Sequence, residues 1–471
     1  MQELCARLEK ELGERVCTDP ETLSAHRHDR WVLSELLDLQ GHPAPSPLAV
    51  IEARSLGDVQ HTLRLCRELG LPVVPFGGGS GVCGAIRSAE RTVVLSTRGL
   101  AGLVELDDRN LTASFRAGTL GSDAERIVQE AGLTLGHWPQ SIDISTVGGW
   151  VATRAAGQFS TAYGNIEDLL FALELVLPDG SVLRTRATPR AASGPDLRQL
   201  FLGSEGILGV VTEVTFSLRP LPEASQGQAF HFASFEEGLE AARKLMRVGW
   251  RPPVVRLYDA AESRRHFEAY CPEGRYMLIL LHEGPSGAVA AQLDGVGAIC
   301  RAQGGEESDP TSVDLWLEKR NLVPSLRELL ERGIVADTIE VGCTWDEAAR
   351  LYKEATRSLA EVPDLLVASA HSSHSYRSGT NLYITFAVRP GDPKQMAQSY
   401  RDCWQRTMQA TLSVGGGISH HHGIGRVRRD YLVDEIGETG VRILRAVKGA
   451  LDPEGLLNPG ALLPDSSSEE E

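Results

Sequence analysis

The 471-residue sequence has no run of about 18 apolar residues, which excludes a transmembrane helix. Its start, Met1-Gln2-Glu3-Leu4-Cys5-Ala6-Arg7, lacks the basic-then-apolar order of a secretory signal. Its end, three Ser and three Glu, is no peroxisomal address. An excess of positive charge is absent as well. Lys and Arg number 47 against 63 Asp and Glu, a formal net charge of -16. That argues against nucleic-acid binding, which needs a basic surface, and against broad adhesion to anionic lipid. The eight cysteines contain no CxxC pair and read as scattered free thiols of a reducing cytoplasm. No Gly-Lys-Ser/Thr follows a glycine loop, and no GxGxxG opens a helix, so neither a Walker nor a Rossmann site is written here.

What is present is glycine, 48 residues of it, in a chain long enough for two or three structural units. Residues 1–45 read as a helical lead-in. Strand 48–51, a helix capped by Ser55 and strand 72–76 form a βαβ unit. Strands 103–106 and 112–116 flank a turn, and Ser122 with Glu125 reads as a capping box. A hairpin spans 173–185, strand 209–218 follows, and Arg219-Pro220-Leu221-Pro222 closes a domain over 46–222. From 223 to 414, strands near 227–232, 254–258, 277–282, 366–371 and 381–388 alternate with helices near 235–247, 288–303, 345–359 and 393–413. This predicts an antiparallel sheet with helices on one face, an α+β cap domain. Thr344 and Glu347 supply a second capping box. Residues 415–464, with a helix near 438–450, are expected to return to the first domain, and 465–471 form an acidic tail.

Four motifs carry chemistry. The first is Pro75-Phe76-Gly77-Gly78-Gly79-Ser80-Gly81. Consecutive glycines let backbone N–H groups converge on an anion such as a diphosphate, although a plain tight turn has the same composition. The second runs from Gly136-His137-Trp138-Pro139-Gln140-Ser141 through Ser145-Thr146-Val147-Gly148-Gly149-Trp150-Val151-Ala152-Thr153-Arg154-Ala155-Ala156-Gly157 to Tyr163-Gly164-Asn165-Ile166-Glu167-Asp168. Its small and hydroxyl residues admit a flat ring, or pack as a tight Gly/Ala helix. The third is Glu205-Gly206-Ile207-Leu208-Gly209-Val210-Val211.

In order and spacing these resemble the FAD domain of the vanillyl-alcohol oxidase and p-cresol methylhydroxylase superfamily. The resemblance implies an α+β fold. A two-subdomain FAD-binding domain of the p-cresol methylhydroxylase type would carry the α+β cap domain. It implies FAD, with residues 75–81 at the diphosphate and residues 140–146, 153–156 and 205–211 around the rest. Covalent flavin tethers there use His or Cys. The loop has no His, and Cys83 lies just past it, so a non-covalent cofactor is expected.

A fourth motif, Gly415-Gly416-Gly417-Ile418-Ser419-His420-His421-His422-Gly423-Ile424-Gly425, divides the subfamilies. Flavin-dependent D-2-hydroxy acid dehydrogenases look similar, but carry a metal-binding Glu where this chain has His421. They carry a His where it has Tyr383. The triple His, the Tyr, Val255-Arg256-Leu257-Tyr258-Asp259 and Thr344-Trp345-Asp346 closely resemble alkyldihydroxyacetonephosphate synthases over residues 46–464. That resemblance implies exchange of the acyl chain of acyl-dihydroxyacetone phosphate for a fatty alcohol through a flavin N5 adduct. It makes Tyr383 the proton-transfer residue, His421 and His422 titrating donors, and Arg256 an orienting cation. The phosphate would fall to His371, where the family has arginine, with His374 and His420 beside it. Gln140 stands where the mammalian-type enzyme has an acid. Each residue also has a plain reading: a sheet tyrosine, a solvated or metal-binding His turn, a salt-bridged arginine. No metal is expected. A homodimer, with contact at a bilayer through Arg426, Arg428 and Arg429, is expected of a bacterial cytosolic enzyme. A flavin oxidoreductase acting on a 2-hydroxy acid or alcohol is the competing reading, and a non-catalytic flavin- or lipid-binding module a third.

Overall fold

The computed structural model describes residues 1–322 and 326–465. The acidic tail beyond Asp465 therefore lies outside the described residues. A four-stranded sheet holds the first motif. In order it contains Val16–Cys17, Ala49–Glu52, Val93–Ser96 and Val73–Phe76, the last three parallel. These three strands are almost wholly buried, as parallel strands covered on both faces must be. Helix Leu56–Glu68 covers one face with Val59, Leu63 and Cys66. It starts at a capping box of Ser55 and Asp58.

A five-stranded antiparallel sheet follows, in the order Leu103–Asp107, Thr112–Arg116, Val210–Ser217, Leu170–Val176, Val182–Arg184. Val210–Ser217 alternates buried and half-buried residues, the period-two signature of a strand with one inward face. The helix Gly121–Glu130 corrects one expectation. It has no side-chain cap, and Glu125 instead turns inward to accept from Thr134 Oγ1 at 2.6 Å and Leu135 N at 3.0 Å.

The cap domain is built on seven antiparallel strands. Their order is Glu306–Ser308, Ala224–Phe232, Tyr276–Gly284, Val254–Tyr258, Leu365–Ser372, Gly379–Val388, Val335–Thr344. Helices Phe235–Val248, Ser286–Ala302, Trp345–Ala360 and Met396–Ser413 pack on one face around Leu257, Leu278, Ile384 and Phe386. Thr344 and Glu347 cap the third of them as expected. The other face is not bare. Helices Ala260–Phe267 and Thr311–Lys319 cover part of it, and Phe159 from the first domain packs there against Trp316.

The ends of the chain knit the two halves. Leu8 and Leu12 of the first helix pack with Ile51 and Leu63, whereas Trp31, Val32 and Leu36 enter the cap core. The lead-in is thus divided between the two cores. At the other end, Leu456 and Leu457 join the core of the parallel sheet. Leu456 O accepts from Val73 N at 2.8 Å, and Asn458 N donates to Val73 O at 2.8 Å.

Candidate functional site

Strand Val73–Phe76 delivers the chain directly into residues 77–81. A Cβ at Gly77 would stand 2.5 Å from Thr146 Oγ1, and one at Gly78 would stand 2.1 Å from Ile144 O. Gly79 has φ +64, and its Cβ would meet the Phe76 ring at 2.5 Å. The loop is therefore pressed against residues 144–146 in a way that only glycine permits. None of the five amides of residues 77–81 donates to a backbone acceptor among the described residues. A curved row of bare, half-exposed amides is an anion cradle, and a dinucleotide diphosphate matches it. His137, packed edge-on against Trp150, is 1% exposed, and both its ring nitrogens are buried without a partner. Buried polar atoms left open in this way call for a partner, and a bound ligand would supply one. The residues present thus fit FAD.

Several side chains expected around the flavin are engaged within the fold. Ser145 Oγ accepts from Trp150 Nε1 at 2.8 Å, and Thr146 caps helix Val147–Thr153. Thr153 Oγ1 donates to Gly149 O, and half-exposed Arg154, in the left-handed region, lies 3.6 Å from Glu167. Ala155 and Ala156 pack inward, Gln140 is exposed, and Ser141 O accepts from Ile144 N and Ser145 N. In the third motif, too, the side chains are engaged within the fold. Glu205, held at φ +49, turns its carboxylate to Ile424 N at 2.6 Å and Gly425 N at 2.8 Å. Burial pushes that carboxyl up to about 7, the Ile424 and Gly425 amides opposing. Ile207 and Leu208 fill one core and Val210 another, while Val211 packs at the edge. Gly206 lies on Pro75 and Gly209 on Leu175. Side chains here brace the fold, which leaves the backbone of residues 205–211 for any cofactor contact.

Tyr383, His421 and His422 come together although the two histidines lie 38 and 39 residues past the tyrosine. Tyr383 stacks on His421 with centroids 6.2 Å apart and meets His422 edge-on at 5.6 Å. What shapes the triplet is Glu340, a residue the sequence reading passed over. Glu340 is fully buried in strand Val335–Thr344. Its carboxylate accepts from the amides of His420, His421 (2.9 Å) and His422 (2.8 Å), and from Ser419 Oγ (3.0 Å). Arg428, also fully buried, closes the cage at 3.0 Å. Burial alone would raise the Glu340 carboxyl; Arg428 and then the imidazoles outweigh it, and the net displacement is downward.

Arg428 also donates to Cys83 Sγ at 2.9 Å and lies over Trp404. It pins the first domain, the cap and the C-terminal segment together, so it faces no lipid. Arg426 and Arg429 are tied to the carbonyls of Pro459 and Gly460. The expected basic membrane patch is therefore corrected.

The chemistry of the other expected residues shifts too. Burial takes His421 down to about 3 and His422 to about 4, with Glu340 opposing; both are neutral near pH 7, not titrating donors. Burial pushes the Tyr383 phenol up to about 12, against a hydrogen bond from Thr338 Oγ1 at 3.1 Å. It is a proton donor in this setting, not a ready base.

His371 stacks on Tyr383 at 4.9 Å, yet neither of its nitrogens is free. Nε2 lies 2.8 Å from Arg256 Nη2, and Nδ1 lies 2.7 Å from Glu262 Oε2. A guanidinium only donates, so His371 accepts at Nε2 and carries its proton on Nδ1 toward Glu262. Its expected role as phosphate ligand is corrected: it holds Arg256. Arg256 also donates to Tyr258 Oη at 2.9 Å and lies over Trp316. Glu262 is 2% exposed and accepts from Thr385 Oγ1 as well. Burial works against its charge, but His371 and Arg265 bring it down to about 2.

His374 and His420 stand with His421 instead of forming a separate subsite, their centroids 4.9–5.1 Å apart. Ser160 and Tyr376, neither singled out by sequence, bond to His374 Nδ1 at 2.6 Å and His420 Nε2 at 2.7 Å. A surface cavity of about 430 Å³ beside Arg243, Trp345 and Arg377 is lined by none of these site residues.

Residues 47–186 match the model of an FAD binding domain, and residues 221–462 match that of the C-terminal domain of FAD linked oxidases. The chain is 32% identical to the FAD-linked oxidoreductase YgcU of Escherichia coli (strain K12), covering 96% of each. It is 31% identical to the alkyldihydroxyacetonephosphate synthase of Trypanosoma brucei brucei, over 90% of this chain and 74% of that one. It is 26% identical to the glycolate oxidase subunit GlcD of Bacillus subtilis (strain 168), over 88% and 89%. Among solved structures, an alkyldihydroxyacetonephosphate synthase superposes with TM-score 0.81 at 24% identity, covering 98% of this chain and 84% of that one. A substrate-bound p-cresol methylhydroxylase gives 0.75 at 17%, covering 98% and 96%. With the glycine cradle in place, the chain belongs to the FAD-linked oxidases of the p-cresol methylhydroxylase fold, and its cofactor is FAD.

Proposed function

We propose that the enzyme is an alkyl transferase of the alkylglycerone-phosphate synthase type, replacing the acyl chain of acyl-dihydroxyacetone phosphate with a fatty alcohol and releasing the fatty acid. The observation that carries this reading is the meeting of Tyr383, His421 and His422 beside Arg256. Residues 77–81 hold the diphosphate of a non-covalent FAD, and the backbone of residues 140–146, 153–156 and 205–211 surrounds the rest. The burial of Cys83 against Arg428 supports a cofactor without a thioether tether. Bound flavin supplies a ring that takes up and returns electrons at the reacting carbon.

The chain's own groups do the remainder. The Tyr383 hydroxyl donates a proton near the substrate carbonyl, and neutral His422, edge-on to the same ring, accepts one. Arg256, fixed by His371 and stacked on Trp316, carries the substrate anion. Contact with a bilayer follows from the fatty chains alone, without a basic patch.

A second reading, oxidation of a 2-hydroxy acid or alcohol, is favoured by one observation. His371 is spent on Arg256 and adds no second cation beside it, which suits a carboxylate as well as a phosphate. Anaerobic mixing separates the two. The transferase leaves flavin absorbance oxidised after turnover with acyl-dihydroxyacetone phosphate, whereas lasting bleaching by D-lactate, glycolate or an alcohol overturns it.

A further inference from the structure

We propose that His374, His420 and His421 form a binding site for one divalent first-row transition ion, with zinc the best chemical match. One ligand nitrogen from each ring lies within 4.8 Å of the other two. His420 Nδ1 and His421 Nδ1 are 2.8 Å apart, a few tenths short of the roughly 3.3 Å spacing that Zn–N bonds of about 2.0–2.1 Å give in a tetrahedral site. Two imidazole nitrogens facing each other at that distance need something between them. In the ion's absence it is a proton; a metal satisfies both lone pairs and the third ring as well.

The outer nitrogens support the same assignment. A metal-bound imidazole turns its other N–H to a fixed acceptor, which sets the tautomer. His374 Nδ1 bonds to Ser160 Oγ at 2.6 Å, which leaves Nε2 for the ion. His420 Nε2 bonds to the Tyr376 hydroxyl at 2.7 Å, which leaves Nδ1. That hydroxyl is itself oriented by Asn165 Nδ2 at 2.8 Å. The backbone is fixed equally firmly, because Glu340 accepts from the amides of both His420 and His421. His374 sits in a connection held by Asn381 Oδ1, which accepts from its amide at 2.9 Å.

Three imidazole ligands, with the Glu340 carboxylate 3.7 Å from His421 Nδ1 but spent on backbone amides and Arg428, select nitrogen-loving ions over Ca²⁺ and Mg²⁺. Three protein ligands leave a fourth position open, the pattern of sites where the ion takes a substrate oxygen. Tyr383 stacks on His421 at the edge of this cluster, so that oxygen would be delivered beside the reacting groups. The set differs from the Glu-plus-His arrangement implied for the hydroxy acid dehydrogenases, whose positions here are His421 and Tyr383. The inference does not rest on the transferase reading, and metal content tests it whatever the substrate.

The test is metal content by plasma mass spectrometry on the flavin-loaded protein, first as purified. It is then repeated after chelation and refilling with Zn²⁺ or Co²⁺. About one ion per chain is expected, with Co²⁺ giving tetrahedral d–d bands at wavelengths beyond the flavin absorption. His374→Ala is expected to weaken Zn²⁺ at least tenfold in a competition titration while flavin content stays at the wild-type level. His374→Gln, which keeps the bulk, is read in parallel. Less than a tenth of an ion per refilled chain overturns the proposal. So does metal uptake that is the same in wild type and in a flavin-loaded His374 variant.

Discussion

Glu340 Oε1 and Arg428 Nη2 lie 3.0 Å apart, and both side chains are wholly buried. Around this one pair converge strand Val335–Thr344, the His triplet and, through Cys83, the residues just past the glycine cradle. A buried charge that loses its partner costs about 3–5 kcal/mol. Glu340→Ala and Arg428→Ala are each expected to destabilise the protein by that order. Denaturant titration checks the loss, and faster release of flavin is expected with it. If either variant unfolds within about 1 kcal/mol of wild type, the pair does not organise the site.

Substitutions at His371 address the arginine. Replacing His371 with Ala removes the acceptor for Arg256 and the donor to Glu262 Oε2, while Glu262 Oε1 keeps Thr385, Ser369 and Arg265; the lost buried bond costs about 1–3 kcal/mol. KM for the anionic substrate is expected to rise roughly 10- to 100-fold, with a smaller change in kcat. His371→Asn, which can offer one acceptor, is expected to recover part of the affinity. If His371 were itself a phosphate ligand, Arg256→Ala would leave KM nearly unchanged.

Tyr383→Phe isolates the hydroxyl, because the ring and its stacking on His371 and His421 remain. Loss of a proton donor is expected to lower kcat about 10²- to 10⁴-fold at unchanged flavin content. The Tyr383 phenol stays protonated until about pH 12, so kcat is not expected to show a Tyr383 ionisation between pH 6 and 9. An activity within twofold of wild type removes Tyr383 from the chemistry.

Asp29 gives a pH dependence with a definite sign. It is 2% exposed, accepts from Trp31 N through Oδ1, and leaves Oδ2 without a partner. Burial raises its carboxyl from 3.8 to about 7, the Trp31 amide opposing. The folded state therefore holds the proton more tightly than the unfolded chain. The stability is fully present below about pH 4 and is lost as pH rises to about 7. Asp29→Asn keeps the acceptor and removes the charge. It is expected to match wild type near pH 4 and to exceed it by on the order of 2 kcal/mol at pH 8 in denaturant titrations. A difference that does not change with pH contradicts the assignment.

Much of the first domain was legible because local rules and tertiary structure agree there. Ser55 caps its helix, strand 72–76 does run into bare glycine amides, and alternation marks Val210–Ser217. Tyr383, His421 and Arg256 stood out through resemblance, and they do converge. What was missed shares one cause. Strand Val335–Thr344 carries Asp337 and Glu340 on buried positions, which breaks the apolar pattern, and their partners lie 63 to 88 residues away. Glu262 and His371 are 109 residues apart, so an imidazole poised to bind phosphate in sequence is an imidazole committed to an arginine in space. The Arg426, Arg428 and Arg429 cluster reads as a basic patch for the same reason, since only the fold shows Arg428 at 0% exposure.

The transferase activity is measured by incubating the flavin-loaded enzyme with palmitoyl-dihydroxyacetone phosphate and radiolabelled hexadecanol, then scoring label in an alkali-stable ether. Ether formation is expected, with one palmitate released per ether, and slowed about 10²- to 10⁴-fold in Tyr383→Phe. No ether, together with turnover of D-lactate or another hydroxy acid by the same preparation, would contradict it.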